Sequence, residues 1–284
     1  MKRIFILLLG ISLAVVSCEF LEQVEETTGL SEEDIVKGLK TALEVGTDSS
    51  STALAVLNAY YENPLLKIPL PEEAQNVQTQ INMILDLAPS LSSYLNLDTH
   101  FENVVKSINR AAEESAKEAA PIFKSAITDL SIVQGLEILQ GRVPTDSQGT
   151  KSGGFDSTAA TQYLLLQTYS PLTDLYAPKI DNALNKDLGL GFSANQAWTT
   201  LRSTYNNAIA TINGNFITRN ALALTGYSLN ELETESIGVF ATEKALDGLF
   251  LKVGEEEIKI RRDPWKWIST TVGNILTKVF GYEE

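Results

Sequence analysis

The stretch from Phe101 to Gly141, FENVVKSINRAAEESAKEAAPIFKSAITDLSIVQGLEILQG, constrains the fold more than any other part of the chain. Apolar residues recur at Phe101, Val104, Val105, Ile108, Ala112, Ala116, Ala119, Phe123, Ala126, Ile127 and Leu130. Steps of three and four residues keep side chains on one side of a helix, so the spacing predicts a long helix with one buried stripe. Pro121 removes a backbone donor, yet at about 100° per residue it falls roughly 200° from the centre of that stripe. The expectation is a kinked central helix whose apolar face stays continuous. Ser131 with Gln134 has the spacing of a capping box and Gly141 suits a left-handed end, which predicts a short helix between them.

Similar signals punctuate the rest of the chain. Ser31 can cap a helix through SEEDIVKGLKTALEVG, with Glu32, Glu33 and Asp34 in the first turn and Gly46 at the end. A second helix is expected from about Thr52 to Tyr61, stopped at Asn63 because the following Pro64 forces it out of helical geometry. The prolines of KIPLP, Lys67 to Pro71, predict an extended crossing, after which Glu72 to Leu85 returns to helix and Pro89 to Asn96 makes a turn or short helix. Further starts are read at Ser157 or Thr158, at Ser170 with Pro171, at Ser193, and at Ser228 with Glu231. Asn213 to Thr225 looks less regular. Gly254 reads as an interruption before the charged helix EEEIKIRR, and Asp263 with Pro264 as the start of a last helix that Gly281 closes. No stretch sustains the alternation of a strand. The chain thus reads as all-α, a single-domain bundle of about nine to eleven helices over residues 30–281, with the Gly-, Ser- and Thr-rich segment 142–157 as a mobile loop.

The N-terminus points to an address. Lys2 and Arg3 precede an apolar run from Ile4 to Val16, too short to span a bilayer and laid out like a secretory signal. VVSC, Val15 to Cys18, resembles the lipobox of bacterial lipoproteins, in which the peptidase cuts before a cysteine that carries lipid. Cys18 is the single cysteine of the chain, so no disulfide framework or cysteine metal cluster is available. The reading is a signal peptide at 1–17, lipidation of Cys18 and an acidic tether at 18–29. Several acyl chains, at about 0.8 kcal/mol per buried methylene, would hold such a protein on a membrane. Glu19 is not the aspartate associated with inner-membrane retention, so the expected location is the outer membrane facing the periplasm. Loss of residues 1–17 removes Lys2 and Arg3 and no acid, taking the formal charge from −14 to −16. Such a charge argues against nucleic acid as a partner and keeps the body off anionic headgroups.

A search for chemistry by spacing finds no histidine pair on a helix, no nucleophile elbow, no dinucleotide glycine pattern and no calcium loop. GTKS in the 142–157 segment lacks the glycines of a phosphate loop. His100, the single histidine, has no companion ligand in spacing and reads as structural. No metal or cofactor is expected. The remaining polar groups sit on amphipathic helices. Asn109 and Glu113 fall at the edge of the long helix's stripe, Arg110 points away, Asp247 flanks another apolar face, and Glu257 precedes Arg261 at the favourable spacing for a helix ion pair. Groups so placed can line a cleft, or they can tie helices together, for which the C-terminal charged helix is the expected partner of Asn109 and Glu113.

Taken in order, LSEEDIVKGLKTAL, KIPLP, INRAAE with AAPIF, EILQG, TAATQYL, FATEKALDGLF and EEEIKIRRDP followed by KVFG resemble the domain-of-unknown-function 4197 family of exported bacterial proteins and lipoproteins. The resemblance runs from Leu30 to Gly281. It implies a helical exported protein without an assigned activity, and it singles out Asn109, Arg110, Glu113, Asp247, Glu257 and Arg261. It also implies departures here. Gln134 stands in place of an aspartate, Lys67 in place of the arginine before the first proline, and the 142–157 segment in place of a short loop. Lysine loses bidentate anion recognition, and glutamine keeps the capping function.

The sequence therefore predicts a lipid-anchored periplasmic module that binds or supports and does not catalyse. Two other classes stay open on the residues alone. One is an envelope enzyme with a carboxylate site of Glu113, Asp247 and Glu257. The other is a carbohydrate-capturing lipoprotein presenting Trp198, Trp265 and Trp267 on one face.

Overall fold

The computed structural model describes residues 31–144, 151–152, 155–263 and 266. The signal, Cys18, the tether, Trp265, Trp267 and the expected last helix lie outside the described residues. The described chain is all-α. Its helices are α1 (Glu32–Leu54), α2 (Glu72–Leu87), α3 (Ser92–Leu95), α4 (Asp98–Ala116), α5 (Ala120–Thr128), α6 (Ile132–Leu139), α7 (Ala159–Leu184), α8 (Ala194–Gly214), α9 (Phe216–Thr225) and α10 (Gly238–Arg262), with a 3-10 turn at Pro89–Leu91. Its contacts divide it into two compact units. The first holds the described residues up to Ser50, Ala120–Tyr169 and those from Phe250 on; the second holds Ser51–Ala119 and Ser170–Leu249.

In the second unit α4 packs along α8. Phe101, Val104, Val105, Ile108, Ala112 and Ala116 of the predicted stripe are all buried on α4, against a core that includes Leu201, Tyr205 and Ile212 of α8. The long helix breaks at Lys117–Ala119, just ahead of Pro121, and the break falls at the boundary between the units. There Glu118 and Ala119 donate to carbonyls three residues back, the tight pattern of a helix end. Phe123, Ile127 and Leu130 continue the buried stripe beyond it, and Pro121 is exposed as its angle predicts.

In the first unit the capping box forms as predicted. The Gln134 N–H donates to Ser131 Oγ at 3.3 Å and the Ser131 N–H to Gln134 Oε1 at 3.0 Å. Gly141 has φ +69° and donates to Ile138 O, while the Arg142 N–H reaches Glu137 O, a Schellman end that satisfies two terminal carbonyls. Phe123 meets Phe250 edge-on at 5.5 Å. Gly135 packs so close to Val36 that an added Cβ would lie 2.9 Å from its side chain.

Several boundaries differ from the sequence reading. Gly46 does not end α1, because buried Thr47 and Ser50 return their hydroxyls to the carbonyls of Leu43 and Gly46, and the glycine sits against Ile260. Of the expected second helix, Thr52–Leu54 close α1 and the rest is a run of turns, with Asn58 in the left-handed region at φ +67°. Ser170 and Pro171 start nothing, since α7 runs through them, and Gly254 does not interrupt α10. Ser228 with Glu231 opens no helix either. Asn206, Arg202 and Trp198 of α8 and Glu73 of α2 bond the backbone of Leu232, Glu233 and Thr234, which holds that segment extended until α10 begins at Gly238. Conversely, the irregular Asn213–Thr225 contains α9, capped by Asn215 and ended by Gly226 at φ +75°. Inside the 142–157 segment, Val143 and Pro144 pair antiparallel with Ser152 and Lys151.

Candidate functional site

The NRAAE residues of α4 converge on the irregular segment between α1 and α2. Asn109 is fully buried, and its amide closes on one residue of KIPLP: Ile68 N–H donates to Oδ1 at 2.9 Å and Nδ2 donates to Ile68 O at 2.8 Å. The second Nδ2 hydrogen goes to Val105 O at 2.7 Å. Both donors and the acceptor are engaged, so the side chain stands in for a neighbouring strand to a backbone whose prolines keep it out of a helix. Glu113, also buried, accepts at Oε1 from the N–H groups of Tyr60 (3.2 Å) and Tyr61 (3.4 Å) and pairs at Oε2 with Arg110 at 2.7 Å. The other Arg110 nitrogen donates to Asn58 Oδ1 at 2.9 Å. The partner of Asn109 and Glu113 is therefore the 58–68 segment and not the C-terminal charged helix.

Tyr60 completes this cluster. Its hydroxyl donates to Ala245 O of α10 at 2.9 Å. Burial pushes its ionisation well above the ordinary tyrosine range, with Tyr176 and Glu113 adding to the rise. The ring fits because of Gly248, where an added Cβ would stand 2.6 Å from Tyr60 Cε1. Asp247, beside that glycine, takes no part. It is exposed and paired with Lys244 at 2.9 Å, since a helix turns adjacent residues about 100° apart.

Glu257 and Arg261 form the second network, in the first unit. Glu257 accepts from Ala160 N–H (2.9 Å), Thr161 N–H (2.8 Å) and Thr161 Oγ1 (2.7 Å), placing its charge on the open donors at the N-terminus of α7. Arg261 pairs with Glu257 at 2.7 Å and donates to Ile138 O (2.8 Å) and Leu139 O (3.3 Å), the carbonyl end of α6. The acid thus meets the positive end of one helix and the base the negative end of another. A small apolar crevice of about 30 Å³ adjoins the pair, lined by Leu39, Leu43 and Gly46 of α1 with Val253 and Ile260 of α10.

These arrangements spend their polar capacity on backbone. Glu113 holds three donors and Glu257 five, two of them from Arg261, so these carboxylates are committed to structure. Among the described residues no group of three or more His, Cys, Asp or Glu side chains could hold a metal ion. The sequence profile of a family described as protein of unknown function (DUF4197) matches residues 29–281, nearly the whole chain and all of both networks. The chain belongs to this family. No curated protein and no solved structure matches it.

Within this DUF4197 chain two of the three departures named above have plain consequences. Gln134 caps α6 without needing a carboxylate. The Lys67 ammonium lies 4.2 Å above the ring of Tyr61, a cation–π contact that does not need the fork of an arginine. Trp198 is 1 % exposed, with its indole N–H on Thr234 O, so it offers no face to a sugar. Sequence reasoning missed Tyr60, Gly248 and Thr161. Of these only Gly248 leaves a signal, as a glycine at a helix position where alanine would be favoured. It also missed Asn206, which grips Leu232 as Asn109 grips Ile68, with Leu232 N–H on Oδ1 at 3.0 Å and Nδ2 on Leu232 O at 3.2 Å.

Proposed function

We propose that this DUF4197 protein is a lipid-anchored module of the bacterial cell envelope that works by binding or structural support and not by catalysis. The observation that carries the non-catalytic reading is the saturation of Glu113, Glu257 and Arg261 by backbone groups of neighbouring segments. A general acid or base must exchange a proton with substrate, and a carboxylate already holding three or more donors is poorly placed for that. The anchor is supported by VVSC ending at the single cysteine. Among the described residues no helix is long and apolar enough to cross a membrane.

Metabolic labelling with radioactive palmitate tests the anchor. Label is expected in the wild type and absent from Cys18→Ala; equal labelling of both would refute Cys18 as the modified residue.

A further inference from the structure

The chain carries 36 acidic residues, yet none falls between Leu188 and Asn230, a tract that contains α8 and α9 entire. Within it α9 shows apolar side chains to solvent. Phe216 is 69 % exposed, Ile217 77 % and Leu224 89 %, while Leu222 alone on this helix is buried. Ile217 and Leu224, seven residues apart, point within about 20° of one another. Tyr227 follows the Gly226 cap and reaches Met83 Sδ of α2 at 3.4 Å. One turn beyond Met83 the exposed Leu87 adds to the apolar area, next to the exposed Asp86, the acid that α2 brings nearest in sequence. Arg219 is exposed on α9 as well.

Scattered exposed apolar residues are ordinary on a protein surface. Three on a ten-residue helix, in a stretch of sequence that carries no acid, stand out on a strongly acidic chain. An acidic body is repelled by anionic phosphates except where acids are missing. A helix with bulky apolar groups and a cation suits the interfacial layer, where apolar side chains sink below the headgroups and the guanidinium meets phosphate. We propose that α9 is the surface on which the protein rests against a phospholipid bilayer, with Phe216, Ile217 and Leu224 entering the interface and Arg219 at the phosphates. This rests on the membrane location argued above and adds an orientation to it, with the acidic remainder turned away from the lipid.

The test uses the full protein as the cell processes it, in vesicles of phosphatidylethanolamine and phosphatidylglycerol. An environment-sensitive fluorophore is placed at Leu224→Cys or at Val239→Cys, an exposed apolar position on α10 of the same unit. Lipids carrying a spin quencher in the upper acyl chain should extinguish the label at 224 and leave that at 239 bright. Equal fluorescence at both positions would overturn the proposal. So would self-quenching of the 224 label that disappears on dilution with unlabelled protein, because a second copy would then cover α9. Palmitate labelling of the same samples separates the two readings. Lipid on Cys18 without quenching at 224 sinks the α9 surface alone, and quenching without lipid sinks the anchor alone.

Discussion

Asn109 and Asn206 solve one problem with one residue type. An extended segment with a buried side chain must find partners for its N–H and C=O away from water, and no strand lies beside it. The primary amide carries a donor and an acceptor on one planar group, so it can close on both at once. Glutamate or leucine at either position would satisfy one group or neither. Asn109→Ala should therefore leave the Ile68 N–H and C=O buried without partners, at about 1–3 kcal/mol for each group so stranded. A loss of roughly 2–4 kcal/mol is expected as a lower urea midpoint with an unchanged slope. Asn109→Asp keeps the acceptor but sets a carboxylate against the carbonyls of Ile68 and Val105, and should be no milder. Asn206→Ala should cost less, because that side chain is only half-buried and water can replace part of what it gives.

At the scale of elements, Glu257 and Arg261 show what a helix can do with one turn of its surface. They stand on α10 and reach the ends of two other helices, so a single ion pair serves the open donors of α7 and the open carbonyls of α6. Removing Glu257 would take the carboxylate away from a largely buried guanidinium. Glu257→Ala is expected to lose about 3–5 kcal/mol, and the double change with Arg261→Ala less than the sum of the singles, a coupling that a double-mutant cycle in urea reads directly. The spacing from Glu257 to Arg261, the buried stripe and the Ser131 and Ser193 caps were all legible in the sequence, because each depends on residues within one or two turns, whereas Asn109 and Glu113 read as edge residues and are buried. What was not legible depends on the other side of a contact. Gly46 and Gly254 read as breaks because the sequence does not display Ile260, Thr158 and Thr161 packed beside them. Asp247 read as a site residue because its neighbour Gly248 shows its purpose only once the Tyr60 ring is seen against it. Ser228 failed as a cap because side chains of α2 and α8, distant in sequence, had claimed the backbone of Leu232–Thr234 first.

For the whole molecule, charge and burial set the pH range of stability. At neutral pH the excess of acids repels itself, so stability should rise a little as pH falls toward the sequence pI of about 4.6. Glu73 and Glu102 then reverse the trend. Burial alone would raise Glu73, but the Thr234 hydroxyl, the N–H groups of Glu233 and Thr234 and the nearby Arg202 hold it below the ordinary carboxylate value. Glu102 is lowered chiefly by the Tyr61 hydroxyl, with burial opposing and Lys106 and Lys67 assisting. A carboxylate depressed by folding contributes stability that is present above its unfolded value and is lost as pH falls through its folded one. Both groups are only half-buried, so the acid limb should be gradual. On the alkaline side the sign is opposite. Tyr60 and Tyr176 are pushed up by burial, and Tyr205 to about 12 by burial with Glu73 adding. A phenol raised by folding supports the native state below its ordinary value near 10 and loses that support as pH climbs through the folded one. Melting temperatures between pH 3 and 11 should trace a plateau that falls at both ends. Glu73→Gln should flatten the acid limb, since the neutral amide titrates nowhere, and should change the alkaline limb only by the part that Glu73 adds to the rise of Tyr205. An acid limb unchanged by that substitution would mean that other carboxylates carry it.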